Sequence, residues 1–235
     1  MNSSELRGYL TGLILGDGFI GKGVTKRSFA IKSIDKEFID KIKDDIESCS
    51  DFEMRVIYTP AHFSSGCNHK DSWELQIKSH PYFNKKYHHF YDDYRKRIAS
   101  KEALSWLTPQ GLANWYMSDG YVCLVGKTKG QITSRRIDFC TDRYSKETIV
   151  EMQKTFLHKF GIQTSIIKRD KFYRIRVASG SYETFINLIY PYVINSMKYK
   201  LYLAYDFQPK WMSDNMWKCQ ESLRSAIAQS DNAVG

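Results

Sequence analysis

Two carboxylates stand out by what precedes them. Asp17 closes the apolar run LTGLILGDG from Leu10 to Gly18, and Asp119 closes LANWYMSDG from Leu112 to Gly120. A single Asp-Gly after a helix is ordinarily a terminating turn, because both residues favour conformations that stop a helix. Two copies, each ending an apolar helical run, point instead to a repeat. Helices lying side by side would bring both carboxylates out together at their C-terminal ends, where the helix dipoles are also negative. Such a pair either takes up a proton or binds a hard cation. Mg2+ prefers carboxylate oxygens, backbone carbonyls (here those of Gly16 and Ser118) and phosphate oxygens, with Mn2+ or Ca2+ able to substitute for binding. A polynucleotide backbone lying across the helix ends would complete that set, and metal-assisted phosphodiester hydrolysis is the chemistry that follows.

The surrounding elements must hold the pair together. Gly8, Gly12 and Gly16 recur every fourth residue and place a stripe without side chains on one helical face, which predicts a close helix-helix seam. The second run carries Asn114 and Ser118 where the first has Gly12 and Gly16, so an asymmetric seam is expected. After each run come a strand-like stretch (Phe29 to Lys32; Ile137 to Thr141) and an amphipathic helix with N-cap Asp35 or Ser145, the latter ending at Gly161. Two further strands follow in each half, Met54 to Tyr58 with Trp73 to Lys78 and Thr164 to Lys168 with Phe172 to Ala178, then aromatic helices near Pro81 to Tyr94 and Tyr182 to Tyr192. The fold class expected is α+β, with two αββαββα-type halves related by a pseudo-twofold axis. The boundaries read as residues 1–99, 100–210 with a linker near 100–109 and Pro109 opening the second motif helix, and a terminal helix and tail over 211–235.

Composition agrees. The 235 residues are 42% hydrophobic and 26% charged, enough for a real core and against bulk disorder, while length alone allows one large domain or two halves. A net charge of +9 suits a polyanionic partner, a nucleic acid or an anionic membrane surface. No apolar run is long enough to span a membrane and no export signal is visible, so an intracellular setting is expected. The five cysteines form no CxxC pair, which argues against a disulfide framework or a zinc module; Cys67 and His69 are assigned no role.

Gly12-Leu13-Ile14-Leu15-Gly16-Asp17-Gly18, with Leu107-Thr108-Pro109 and Leu112 to Gly120 following in register, resembles the paired motifs of the LAGLIDADG homing endonucleases, in their single-chain, two-motif, intron-encoded branch. The resemblance runs from about Leu6 to Tyr202. It implies a saddle of two antiparallel sheets over double-stranded DNA, the motif helices at the interface, and both strands cut across the minor groove to leave short 3′ overhangs. Both halves in one chain point to a monomer, and the absence of a visible targeting segment fits a gene in an organelle, bacterium or phage. A basic residue from each half would stand near the metals; the resemblance places these at Lys96 and Lys200, with Arg95, Arg97 and Lys198 as alternatives. Such a cation would orient the attacking water or offset developing charge. An RNA maturase on the same fold, bound to intron RNA, is the competing function.

Several strands alternate, with Trp73, Leu75 and Ile77 on one face and Glu74, Gln76 and Lys78 on the other. Likewise Tyr173, Ile175 and Val177 would face inward and Arg174 and Arg176 outward, toward solvent or a ligand. Lys22, Lys26, Arg27, Lys32, Lys127, Lys129, Arg135, Arg136, Lys168 and Arg169 extend the basic set, most of them expected on phosphates. Duplex affinity should therefore drop roughly 1,000-fold between 50 and 200 mM salt, read by a binding titration. A drop of under about tenfold would speak against an extended phosphate interface.

Overall fold

The computed structural model describes residues 1–21, 27–64, 66–128 and 131–201, at 124–128 and 131–135 by their backbone alone. The N-terminal half runs α1 (Ser3–Leu15), β1 (Phe19–Ile20), β2 (Phe29–Ser33), α2 (Lys36–Glu47), β3 (Met54–Thr59), β4 (His62–Ser64), β5 (Cys67–His69), β6 (Ser72–Ile77) and α3 (Pro81–Lys86). After α4 (Lys101–Trp106) the order repeats as α5 (Pro109–Asp119), β7 (Gly120–Thr128), β8 (Gln131–Phe139), α6 (Lys146–Phe160), β9 (Thr164–Arg169), β10 (Phe172–Val177) and α7 (Tyr182–Ile189). Each half builds a four-stranded antiparallel sheet, ordered β1-β2-β6-β3 and β7-β8-β10-β9. These are the same topology, the small β4-β5 hairpin being an insertion in the first half.

The helix caps are those the sequence predicts. Asp35 accepts from Phe38 N, Ser145 from Thr148 N, and Gly161 sits at φ +68°. Three expectations change. The segment near 100–109 is not merely a linker: Ser100 caps the short helix α4, which buries Ala103, Leu104 and Trp106 against α1 and α6 before Thr108 caps α5. The aromatic helices are shorter than expected, each passing into a 3-10 turn at Tyr87–His89 and Tyr190–Tyr192. Strand β1 starts straight after Asp17-Gly18 and β7 at Gly120 itself, so each motif helix feeds directly into its sheet. The terminal helix expected beyond Trp211 lies outside the described residues.

One continuous core joins the halves, running from Tyr9, Leu13 and Phe29 to Trp115, Phe139 and Phe185. At its centre α1 and α5 meet backbone to backbone. A Cβ on Gly12 would come within 1.8 Å of the Gly111 carbonyl oxygen, and one on Gly16 within 2.5 Å of Ser118 Cβ. The glycine stripe thus does what its spacing predicts, with Gly111 as its closest partner. Gly12→Ala should destabilise the protein by about 3 kcal/mol or more, since rigid backbone blocks any relaxation. Gly180→Ala, with nothing within 4 Å of the added carbon, should change stability by under about 0.5 kcal/mol in the same denaturant melts.

Candidate active site and nucleic-acid interface

Asp17 lies in the turn just past α1 and Asp119 is the last residue of α5, so the seam delivers both carboxyls to one place. Burial, and then the negative charge of Asp17, push the Asp119 carboxyl up to about 7. Arg143 Nη2 stands 4.0 Å from Asp17 Oδ1 and, with Arg97 and Lys200, partly offsets that rise.

Each motif helix end is held by a cation from the last segment of its own half. Arg97 donates to the carbonyls of Ile14, Gly16 (3.2 Å) and Gly18 (2.6 Å), the last ones along α1 and its turn. Lys200 Nζ donates to Met117 O at 2.5 Å and Ser118 O at 3.4 Å, at the end of α5. A cation on those unpaired carbonyls satisfies the negative pole of the helix. Lys200 thus stands in the field of Asp17 and Asp119, while in the first half it is Arg97 that reaches the helix end. Lys96 is exposed on a turn closed by its own N–H to Asp92 Oδ1, with Arg95 at φ +63°. That turn pairs Tyr91 with Arg97 and brings Arg97 inward instead. Lys200 is set by a 3-10 helix, Asn195–Leu201, whose first N–H groups donate to Glu37 and whose Lys200 carbonyl accepts from Tyr116 Oη at 2.8 Å. Burial lowers the Lys200 ammonium, opposed by Asp17 and Asp119.

The donor set fits a hard divalent cation. Two converging carboxylates, one of them destabilised when charged, gain from a cation, and the Gly16 and Ser118 carbonyls keep a second lone pair beyond Arg97 and Lys200. Among the described residues no group of three or more His, Cys, Asp or Glu side chains converges, so water and substrate oxygens would have to fill the remaining positions.

On the outer face of the second sheet, Tyr121, Arg136, Lys168, Arg169 and Arg176 line a hollow of about 490 Å3. Arg176 makes a double hydrogen bond to the buried Asp138 (2.7 and 2.8 Å), and Arg174 one to Asp142 (2.7 and 2.5 Å), holding that carboxyl below its usual range. These arginines face outward as expected but are fixed by carboxylates that sequence reading missed. On the first sheet Lys32 is exposed, Gln76 accepts from Arg55 Nε (2.9 Å) and Nη2 (2.7 Å), and Lys78 pairs with Glu53. Arg27 stacks on Tyr87, 3.2 Å from the ring centre. Lys22, Lys26 and Lys129 lie outside the described residues; Lys127 and Arg135 are placed by backbone only, in β7 and β8. No helix among the described residues is long and apolar enough to cross a membrane.

Residues 7–185 match the model of the LAGLIDADG DNA endonuclease family. The probable intron-encoded endonuclease 1 of Wickerhamomyces canadensis is 28% identical over 196 residues, 82% of this chain and 81% of that protein. DNA endonuclease I-ChuI of Chlamydomonas applanata is 28% identical over 102 residues, 41% of this chain and 44% of that protein. The solved structure of the homing endonuclease I-WcaI bound to its DNA recognition sequence has a TM-score of 0.70 at 24% identity, covering 85% of this chain and 86% of that one, and so shares the fold. With both Asp-Gly motifs inside the matched span and meeting at one seam, the chain belongs to the LAGLIDADG DNA endonuclease family.

Proposed function

We propose that this chain is a site-specific homing endonuclease that hydrolyses both strands of a long, asymmetric double-stranded DNA target as a monomer, with Mg2+ as its cofactor. It would act inside a cell whose organelle, bacterial or phage genome carries the intron. The observation that carries the reading is the convergence of Asp17 and Asp119 at the ends of α1 and α5, each helix end backed by its own cation, Arg97 or Lys200. Asp17, Asp119 and the carbonyls of Gly16 and Ser118 would hold the metal, which supplies Lewis-acid polarisation of the phosphodiester. Lys200 orients water and offsets charge on the phosphate, while Arg97 fixes the end of α1. Arg174, Arg176, Arg136, Lys32 and Gln76 lie on the sheet faces that would meet the duplex, where a preset guanidinium suits guanine or phosphate.

Incubation with a randomised duplex library and Mg2+ should yield a discrete set of cleaved sequences. Asp17→Asn and Asp119→Asn should each slow cleavage by about 1,000-fold or more. Undiminished cutting by both variants would sink the assignment. A protein that leaves every duplex intact while promoting splicing of a structured intron RNA would instead be the maturase.

Asp119→Asn should also stabilise the metal-free protein. A carboxyl raised in the folded state keeps its proton while the unfolded chain loses its own, so stability falls as pH rises from about 4 through about 7. The asparagine variant lacks that loss. It should exceed the wild type by about 2 to 4 kcal/mol at pH 8 and match it near pH 4, in urea melts with chelator present. A variant no more stable than wild type at pH 8 would contradict the burial argument.

A further inference from the structure

The two halves differ in one loop beside the paired carboxylates. Ile31 pairs with Leu75 in the first sheet as Phe139 pairs with Ile175 in the second. Three residues separate Ile31 from the N-cap Asp35, but five separate Phe139 from the N-cap Ser145. The longer loop carries Arg143 and Tyr144. Tyr144 is 7% exposed, and its hydroxyl donates to Leu15 O at 2.9 Å, across the seam and beside Arg97. On the other side the shorter loop leaves Ile34 61% exposed, at a hollow of about 460 Å3 lined by Asp17, Lys32, Ser118 and Lys200.

The two cations differ in the same direction. Arg97 is a planar fork with N–H groups committed to three backbone carbonyls. Lys200 donates to two, and an ammonium on a flexible stem carries a third donor. One side therefore has space for water and a phosphate oxygen next to an ammonium that makes two hydrogen bonds among the described residues. On the other the Tyr144 ring is buried against the end of α1, and the guanidinium is anchored on the Ile14, Gly16 and Gly18 carbonyls.

We propose that the Arg143–Tyr144 extension makes the two cleavage centres unequal, so that the strand whose phosphate enters the Lys200 hollow is cut faster than the strand on the Tyr144 side. The inference rests on the endonuclease reading above. At each centre the balance is that of hydrolysis: water adds to phosphorus, one phosphorus–oxygen ester bond breaks, and the departing sugar oxygen takes a proton. The difference lies in preorganisation, because the Tyr144 side must rearrange before water and phosphate can be aligned there.

The test uses the full chain and a duplex recovered by the library selection, its two strands carrying different end labels, followed in time with Mg2+. The wild type should cut one strand at least about fivefold faster than the other, with a nicked duplex accumulating. Lys200→Met should slow that faster strand by about 100-fold, as loss of an aligned donor does, and reverse or abolish the strand order. Equal strand rates in the wild type, which need no variant to measure, overturn the inference and leave the endonuclease reading standing. So does a Lys200→Met variant that does not single out the faster strand. A wild type that cuts neither strand overturns both.

Discussion

Two helix backbones can touch only where neither interposes a side chain, and at Gly12 and Gly111 neither does. That contact decides the rest. With α1 and α5 this close, their C-terminal ends coincide, and Asp17 and Asp119 are forced into one another's field. The core then has to wrap the pair: Tyr9, Leu13, Trp115 and Tyr116 fill the sides of the seam, and each motif helix runs into the first strand of its sheet. A larger residue at the contact would move the helices apart and separate the carboxylates before any catalytic atom had been changed.

Placing like charges together at two negative helix poles is unfavourable, and the structure meets the cost locally. Arg97 and Lys200 reach the terminal carbonyls, and Arg143 approaches Asp17. What remains uncompensated, the raised Asp119 carboxyl, is what a divalent cation would relieve. The net charge of +9 surrounds this acidic centre, in part on sheet faces where Arg174 and Arg176 are held by Asp142 and Asp138. Guanidiniums fixed in this way lose little freedom on meeting a phosphate or a base edge.

Much of the frame is legible in the sequence, because the signals involved are local. The motif helices, the caps at Asp35, Ser145 and Gly161, and the alternation along β6 and β10 are each written within a few residues. What escapes depends on partners distant in the chain. Gly111 is one glycine in an ordinary helix until Gly12 is laid against it. Which residue of the run Tyr94-Arg95-Lys96-Arg97 turns inward is set by a left-handed residue at Arg95, not by charge. Strand β7 follows α5 with no intervening loop to mark the change, and α4 is too short to establish a helical period. Asp138 and Asp142 become arginine partners only through the pairing of β8 with β10 and the loop that follows β8.

The most direct test of the forced carboxylate pair is an NMR titration of carboxyl carbons in the metal-free protein, with Asp119 assigned by its loss in Asp119→Asn. The expected result is that Asp119 titrates near 7 and moves down, without returning fully to an ordinary value, when Asp17 is replaced by asparagine. Burial would hold up what remains. An Asp119 that titrates near 4, or that ignores the replacement of Asp17, would mean that the seam does not press the two carboxylates together.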